Sequence, residues 1–173
     1  MSPVVVLVGA PGAGKTTVAG ELGQRLDVAV RDTDADVEKQ VGSSVQDIFV
    51  TDGEARFREL EAEAVAAALV EHDGVLALGG GAVTTPAIRQ ALQGHRVVFL
   101  DVGLTEAAAR VGLGTSRPLL LGNVRATLKA LLDERRPLYE EVSVHIVQTD
   151  GRTPTEVVEA VLAVLPSATG AAE

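Results

Sequence analysis

The chain contains no cysteine and no tryptophan, and aromatic residues make up only 2% of its 173 residues. The lack of cysteine excludes disulfide bonds and thiolate metal sites, so the fold should not depend on an oxidising compartment. Because aromatic side chains are scarce, valine, leucine and alanine must fill the core. A hydrophobic content of 46% suffices for that, and the length predicts a single domain over residues 1–173.

Positive charge and long apolar runs are also scarce. Fifteen Lys and Arg residues stand against 24 Asp and Glu, a net charge of −9, which argues against general nucleic-acid binding. No apolar run approaches the roughly 18 residues of a membrane span, and the first charge, Lys15, comes too late for a signal peptide. We therefore expect a cytoplasmic protein without nucleic-acid or membrane partners. No apolar stripe demands a dimer, so a monomer is the default.

Short apolar stretches alternate with amphipathic ones along the chain. This alternation predicts an α/β fold of three layers, in which a five-stranded parallel sheet is flanked by helices. The predicted strands are 4–8, 28–30, 75–78, 96–100 and 142–147. The predicted helices are 16–26, 34–41, 44–50, 54–70, 85–92, 105–111, 123–136 and 153–165. Ligands of such folds bind at the carboxyl ends of the strands.

The segment Gly9–Thr16, GAPGAGKT, fits the pattern G-x-x-x-x-G-K-[ST] between a strand and a helix. Glycines let backbone N–H groups form a nest for phosphate oxygens, and the following helix adds its positive end. Lys15 can reach the β- and γ-phosphates, and the Thr16 hydroxyl can bind Mg²⁺. The alternative is an ordinary glycine-rich turn. The predicted nucleotide-binding residues are Gly12, Ala13, Gly14, Lys15, Thr16 and Thr17.

Two acids follow the second predicted strand. Asp32 and Asp34 are separated by one residue, so in an extended segment both carboxylates would face one site. We expect one carboxylate to lie beside Mg²⁺ and the other beside the hydroxyl group that accepts the phosphate. Alternatively, Asp34 caps the next helix. Asp101, at the end of another apolar strand, is a second candidate for Mg²⁺.

Charged residues of the long Ala/Glu helix suggest an anion clamp. Arg58 is spaced to pair with both Glu54 and Glu61, and a guanidinium held this way can bind a carboxylate with two hydrogen bonds. The alternative is a solvated charged face. The triplet Gly79–Gly81 permits close approach of the backbone to a ligand. Arg117, in a glycine-rich segment, could enter the site when a lid closes.

Taken together, these motifs resemble those of shikimate kinases, small enzymes of the nucleoside-monophosphate-kinase-like P-loop group. The resemblance spans about residues 4–165 and rests on an ordered set of motifs. They are GAPGAGKT (9–16), DTD (32–34), DIF-x-x-x-GE-x-x-FR-x-x-E (47–61), GGGAV (79–83), RPLL (117–120) and R-x-PLY (135–139). The resemblance implies transfer of the ATP γ-phosphate to the 3-hydroxyl of shikimate, with one Mg²⁺, on the route to chorismate and aromatic amino acids.

It also implies roles for individual residues. Asp34 would bind the shikimate hydroxyls as base or orienter, and Asp32 would lie near Mg²⁺ with Thr16. Arg58 and Arg135 would clamp the carboxylate, since the R-x-P-L-Y spacing selects Arg135 rather than Arg136. The other implied substrate-binding residues are Phe49, Phe57, Glu61, Gly79, Gly80 and Gly81. Arg117 would be the lid arginine, with Lys15 and Asp34 the other catalytic residues, and Arg110 and Arg152 would flank the adenine.

The resemblance divides the domain into functional parts. The core would comprise 1–31, 62–111 and 124–165, with a substrate-binding region at 32–61, a lid at 112–123 and a disordered tail at 166–173. Two rival functions stay open: another small-molecule kinase of this fold, such as a gluconate or nucleoside-monophosphate kinase, and a non-catalytic ATP-binding module. The DTD, FR-x-x-E and GGGAV motifs count against the first. The intact lysine, hydroxyl and acids count against the second.

Overall fold

The computed structural model describes residues 1–113 and 124–167. The strands are β1 (Val5–Val8), β2 (Val30–Asp32), β3 (Val75–Ala77), β4 (Val97–Asp101) and β5 (His145–Gln148). The helices are α1 (Lys15–Leu26), α2 (Thr33–Val41), α3 (Val45–Asp52), α4 (Glu54–Glu71), α5 (Pro86–Ala91), α6 (Leu104–Leu113), α7 (Val124–Val142) and α8 (Pro154–Val164). A 3-10 turn, Ala82–Thr84, follows β3. No helix in these ranges is both long and apolar enough to cross a lipid bilayer.

The five strands form one parallel sheet in the order β2-β3-β1-β4-β5. β1 lies at its centre, where Val6 pairs with Leu76 on one side and Val97 on the other. All four residues of β1 are buried, as expected of a strand covered on both faces. This confirms the predicted α/β class, and the loop after β1 emerges at the carboxyl edge of the sheet, where ligands of such folds bind.

A second, smaller apolar cluster lies outside the main core, beneath α2, α3 and α4. Its buried members are Val37, Ile48, Phe57, Leu60 and Ala64. It fixes α2 and α3 against the long helix α4, so the predicted substrate-binding region has packing of its own. Side chains on these helices can therefore be held in fixed positions at the rim of the sheet.

Two element boundaries differ from the predictions for identifiable reasons. β2 begins at Val30 rather than 28, because Asp27 takes a left-handed C-cap conformation (φ 55°) and the Val28 N–H bonds back to Gly23 O at 3.0 Å. α7 continues past Pro137 to Val142, so β5 starts later than predicted. A proline normally ends or kinks a helix, but here tertiary contacts of the residues around Pro137 hold the last turns.

The predicted lid and tail fall largely outside the described residues. Residues 112 and 113 belong to α6. The remaining lid residues, with Arg117, and the last six residues of the chain lie outside the described ranges. The division into core, substrate-binding region and lid stays a prediction.

Candidate active site

The loop after β1 owes its shape to glycines in backbone conformations that other residues rarely adopt. Gly12 and Gly14 have φ values of 84° and 88°, in the left-handed region where a Cβ atom is unfavourable. Gly14 is also the N-cap of α1, and no side chain in the described part of the protein accepts from the N–H groups of that cap. The first N–H groups of α1 are thus available to an anion at the positive end of the helix.

The Lys15 side chain folds back over this loop. Its Nζ donates to Gly9 O at 2.6 Å and Ala10 O at 3.1 Å. Burial lowers the pKa of Lys15 to about 8, although the carboxylates of Asp34 and Asp32 act in the opposite direction. Lys15 lines the same cleft as Asp32 and Asp34, so its ammonium group can bind the phosphates of a nucleotide close to both acids.

A cleft of about 450 Å³ joins the loop to the two acids. Its lining comprises Pro11, Gly12, Gly14, Lys15, Thr16, Thr17, Asp32, Asp34, Leu78, Gly79, Gly80 and Arg110. Residues from the ends of β1, β2 and β3 meet here, at the carboxyl edge of the sheet. One cleft therefore offers a phosphate-binding loop and carboxylates together, as phosphoryl transfer to a hydroxyl requires.

Asp32 is the N-cap of α2, and this corrects two interpretations made from the sequence. Its Oδ1 accepts the N–H of Asp34 at 2.8 Å and that of Ala35 at 3.4 Å. The alternative that Asp34 is the cap is therefore wrong. The argument from an extended segment is also wrong, because Thr33 already begins the helix. The two carboxylates reach one cleft through a strand end and a first helical turn instead.

One carboxylate oxygen of Asp34 has no hydrogen-bond partner among the described residues. This oxygen, Oδ1, is buried. Burial, and then repulsion by Asp32, raise the pKa of Asp34, with Lys15 opposing. A buried oxygen without a partner is costly unless a ligand satisfies it, so this position suits a hydroxyl donor from a substrate.

Arg58 is a partly buried guanidinium held by its own helix. Nη1 donates to Glu61 Oε1 at 2.9 Å, and Nη2 to Glu54 Oε1 at 3.4 Å. Only 17% of the Arg58 side chain and 1% of that of Glu61 are exposed, so the solvated-face alternative does not hold for this pair. Burial raises the pKa of Glu61, partly offset by its hydrogen bond from Arg58. Arg58 Nε is buried and has no acceptor among the described residues.

Two phenylalanines border the guanidinium of Arg58. Its Cζ lies 5.9 Å from the ring centre of Phe49 and 5.4 Å from that of Phe57. The two rings are themselves 4.8 Å apart. Both contacts are within the range of cation–π attraction, so the rings restrict the arginine and offer an apolar wall beside it.

The glycine triplet Gly79–Gly81 lets the side chains of Asp34 and Arg58 approach the backbone closely. A Cβ on Gly79 would lie 2.5 Å from Asp34 Oδ1, and one on Gly81 would collide with the Arg58 guanidinium. Gly80 O accepts the hydroxyl of Tyr139 at 2.5 Å. A Cβ on Gly80 would lie 2.9 Å from Pro11 Cδ of the phosphate loop, so none of the three positions has room for a side chain.

The adjacent arginines of α7 have separate environments. Arg136 donates to both carboxylate oxygens of Asp101, at 2.7 Å each, and Gln148 Nε2 donates to the same group at 2.8 Å. Asp101, the second Mg²⁺ candidate, is therefore occupied by side chains. Arg135 lies four residues before Tyr139 on the same face of α7, and the Tyr139 hydroxyl reaches Gly80 in the cleft wall. That Arg135 rather than Arg136 binds the acceptor stays a prediction.

A second cavity continues from the phosphate loop. It measures about 240 Å³, and its lining includes Arg110, Thr149, Arg152 and Pro154. Arg110 donates to Gly12 O at 2.8 Å and to Glu106 at 2.9 Å. The two arginines predicted to flank an adenine therefore lie at one cavity beside the loop.

Two contributors were not assigned from the sequence. Tyr139 is the single tyrosine of the chain and is 1% exposed; because a buried tyrosine hydroxyl needs a partner, its place in PLY could have indicated a structural contact. Glu106 also receives the Gly151 N–H at 2.6 Å, linking α6 to the loop after β5. The sequence carried no local signal for this second contact.

The residues suited to Mg²⁺ are few. Within residues 1–113 and 124–167, no group of three or more His, Cys, Asp or Glu is arranged to hold a metal ion. Mg²⁺ commonly takes one or two protein oxygens, waters and substrate phosphates. Thr16 and Asp32 both line the cleft and supply hard oxygen donors, so the donor set fits an ion that arrives with a nucleotide.

Comparison with known proteins identifies the family. The Shikimate kinase family model matches residues 11–166. The chain is 57% identical to the shikimate kinase of Salinispora tropica, covering 96% of this chain and 100% of that protein, and 55% identical to that of Thermobifida fusca, covering 96% of each. The structure of Acinetobacter baumannii shikimate kinase in complex with shikimate matches with a TM-score of 0.86 and 33% identity, over 94% of this chain and 91% of that one. The chain therefore belongs to the shikimate kinase family.

Proposed function

We propose that the chain transfers the γ-phosphoryl group of ATP to the 3-hydroxyl of shikimate, giving shikimate 3-phosphate and ADP for chorismate and aromatic amino acid synthesis. Three buried side-chain atoms have no hydrogen-bond partner among the described residues, Thr33 Oγ1, Asp34 Oδ1 and Arg58 Nε. The last two carry this proposal, because Asp34 lines the cleft of the phosphate loop and Arg58 offers a guanidinium to an anion. An acceptor with hydroxyls at one end and a carboxylate at the other meets both needs. The solved complex of the Acinetobacter relative with shikimate supports the same acceptor.

The acceptor is bound by side chains of α2, α4 and α7. Arg58 and Arg135 receive the carboxylate of shikimate, because a guanidinium can bind a carboxylate through two parallel hydrogen bonds. Asp34 receives the hydroxyls. Phe49 and Phe57, which already contact each other and the arginine, lie against the ring, and the glycine triplet forms the floor.

The nucleotide is bound mainly by the backbone. The N–H groups of residues 12–17 and the Lys15 ammonium bind the β- and γ-phosphates, and the cavity between Arg110 and Arg152 receives the adenine. Thr16 and Asp32 would hold Mg²⁺, which supplies neutralisation of phosphate charge when bound. An ion of this kind keeps several waters, so Asp32 can act directly or through one of them.

In the transfer step, the 3-hydroxyl oxygen forms a bond to the γ-phosphorus while the bond from that phosphorus to the β–γ bridging oxygen breaks. Asp34 orients the hydroxyl and takes its proton, and its raised pKa makes it a stronger base than an ordinary aspartate. Lys15 and the loop amides stabilise charge on the phosphates. Most of the acceleration then comes from positioning and electrostatics.

Four expectations from the sequence stay predictions: the lid at 112–123, the catalytic role of Arg117 in it, the monomeric state and the cytoplasmic location. Arg117 would neutralise charge on the transferring phosphoryl group. Its removal should lower kcat while leaving the shikimate KM close to that of the wild type.

A coupled assay of ADP release tests the function. We expect release with ATP, Mg²⁺ and shikimate, near-background release when shikimate is omitted, and none after chelation of Mg²⁺. Gluconate and AMP serve as acceptors for the rival kinases, and phosphorus NMR identifies the product. ADP release that does not depend on shikimate, or that is supported equally by gluconate or AMP, would contradict the proposal.

A further inference from the structure

The carboxyl ends of β4 and β5 hold an ion pair that the proposed mechanism does not use. Arg136 binds Asp101 through two parallel hydrogen bonds of 2.7 Å, and its Nε also pairs with Glu140 at 3.0 Å. The Asp101 side chain is 7% exposed, whereas that of Arg136 is 48% exposed. A buried carboxylate thus holds a half-exposed arginine, and Gln148 donates a third hydrogen bond to the same carboxylate.

The same pair is joined to the floor of the site through two aromatic rings. Arg136 Cζ lies 5.9 Å from the ring centre of Phe99, and that ring stacks on Tyr139 with centres 5.0 Å apart. The Tyr139 hydroxyl donates to Gly80 O. The turn of α7 that carries both arginines is therefore attached at Asp101 on β4 and at Gly80 after β3.

Helix geometry makes these attachments relevant to Arg135. Successive residues of an α-helix point about 100° apart, so fixing Arg136 on Asp101 also fixes the direction of its neighbour. Arg135 is half-buried and lies four residues before Tyr139, so both side chains lie on the same face of α7. The Tyr139 hydroxyl on that face reaches Gly80, which lines the cleft. No residue in the described ranges forms a geometrically defined ion pair with Arg135, in contrast to the pairing of Arg58 with Glu61.

We propose that the Asp101–Arg136 ion pair is a positioning device that sets the rotation of α7 and thereby directs Arg135 at the acceptor carboxylate. This inference rests on the proposed function. The two arginines of the clamp are then held in different ways: Arg58 directly, by a buried glutamate on its own helix, and Arg135 indirectly, through its neighbour. A helix with a proline at position 137 has less internal stiffness at this turn, so the external attachment determines the direction of the side chain.

A double-mutant cycle tests the inference with shikimate and ATP as the varied substrates. The variants are Arg135→Gln, Arg136→Gln, the double variant and Asp101→Asn. Lys129→Gln is the matched control, because Lys129 forms an exposed ion pair with Asp133 on the same helix. We expect Arg136→Gln and Asp101→Asn each to raise the shikimate KM about tenfold, with the ATP KM changed by less than about twofold. The control should leave both values unchanged.

The double variant gives the decisive readout. If Arg136 acts through Arg135, the double variant has a shikimate KM close to that of Arg135→Gln alone, since a misdirected and an absent arginine are equivalent. If the fold-rises in shikimate KM of the two single variants multiply in the double variant, the proposal is overturned, because Arg136 then contributes independently of Arg135. Equal rises in both KM values, or a lower Tm with unchanged kinetics, would also overturn it.

Two further measurements keep the test valid. Arg136→Lys retains the charge but not the two parallel hydrogen bonds, so it should give an intermediate shikimate KM even where Arg136→Gln does not fold; a wild-type value would overturn the proposal. Wild-type protein is assayed in parallel. If the wild type does not phosphorylate shikimate, the proposed function fails. If the wild type is active but the effects of Arg135→Gln and Arg136→Gln multiply in the double variant, only this inference fails.

Discussion

The two sides of the cleft bind their ligands by different physical means. On the nucleotide side, the main features are backbone conformations at Gly12 and Gly14, and Lys15 bonds to its own loop. On the acceptor side, buried or partly buried side chains face the site, and Arg58 is already paired with Glu61. Phosphate binding therefore depends on main-chain shape, whereas recognition of the acceptor depends on a few fixed side chains.

This difference predicts where substitutions have large effects. A side chain that is partly buried, ion-paired and aimed at the acceptor cannot be replaced without leaving a partner unsatisfied, which is costly in a buried site. An exposed side chain beside a backbone-lined groove can be lost with less effect. Substitutions on the acceptor side should therefore change turnover or shikimate KM strongly, and side-chain substitutions at the rim of the nucleotide groove should act weakly.

Asp34→Asn should have the largest effect. The amide cannot take the hydroxyl proton, so kcat should fall about 10²- to 10⁴-fold, while the Tm stays close to that of the wild type. Asp36→Asn is the matched control, because Asp36 lies on the same helix but pairs with Arg31 at 2.6 Å, away from the cleft. Steady-state kinetics and thermal melts provide the measurement. Turnover near the wild-type rate would remove Asp34 from the mechanism.

Arg58→Lys should separate the two substrates. The lysine retains the charge but loses the planar fork, and a lost charge-assisted hydrogen bond of about 1.5–3 kcal/mol corresponds to roughly a 10- to 100-fold rise in shikimate KM. The ATP KM should stay unchanged because Arg58 does not line the nucleotide groove.

Arg56→Lys is the control for this substitution. Arg56 lies two residues away on α4, where its exposed side chain pairs with Glu59 at 3.0 Å, and its replacement should leave both KM values unchanged. Parallel rises of the shikimate and ATP KM values in Arg58→Lys would show that the two sides of the cleft are not distinct in the way described.

The nucleotide side was also the easier side to predict from sequence. GAPGAGKT encodes a backbone shape, and such a shape is local, so eight consecutive residues suffice to specify it. The aliphatic strands could be predicted equally well, because a strand that is buried on both faces of a parallel sheet needs a continuous apolar run. The five strands and the class of fold followed from these runs, with errors only at ends such as that of β2.

On the acceptor side, residue patterns indicated the candidates but left alternatives open, and the family resemblance chose between them. Arg58 and Glu61 have the spacing of any solvated helical pair, and burial, which distinguishes them from Arg56 and Glu59, depends on the packing of α2 and α3 against α4. The sequence pattern predicts that α2 begins at residue 34, one residue after its actual start at Thr33, and therefore does not reveal Asp32 as the N-cap. The Asp101–Arg136 contact joins residues 35 positions apart, which no local pattern reveals.

The pH dependence of stability should report the buried acid on the acceptor side. Because burial raises the pKa of Glu61 above its ordinary value of 4.5, the folded protein retains a proton that the unfolded chain has released. The free energy of unfolding should therefore fall as pH rises from 4.5 to the raised pKa, by at most about 1.4 kcal/mol per pH unit. Glu61→Gln removes this titration.

Chemical denaturation of the wild type and Glu61→Gln across this pH range gives the comparison. The unfolding free energy of the wild type minus that of Glu61→Gln should decrease across that window as pH rises, because only the wild type titrates there, and it should level off above the window. Glu59→Gln, an exposed position on the same helix, should follow the wild-type curve. Parallel curves for the wild type and Glu61→Gln would mean that Glu61 titrates normally, and the acceptor side would lose its distinguishing buried charge.

Arg110→Gln should have the smallest effect and is the strictest test of the contrast. Its side chain is 36% exposed, and it contacts the phosphate loop through Gly12 O at 2.8 Å, so its loss removes a rim contact from a groove that the backbone shapes. We expect a two- to fivefold rise in ATP KM, the range of an exposed electrostatic contact worth up to about 1 kcal/mol, with shikimate KM unchanged. Arg25→Gln, which removes an exposed arginine paired with Glu159, should change neither. A rise in ATP KM as large as the shikimate effect of Arg58→Lys would mean that side chains, too, determine nucleotide binding, and the two sides of the cleft would then differ in ligand but not in the physical means of recognition.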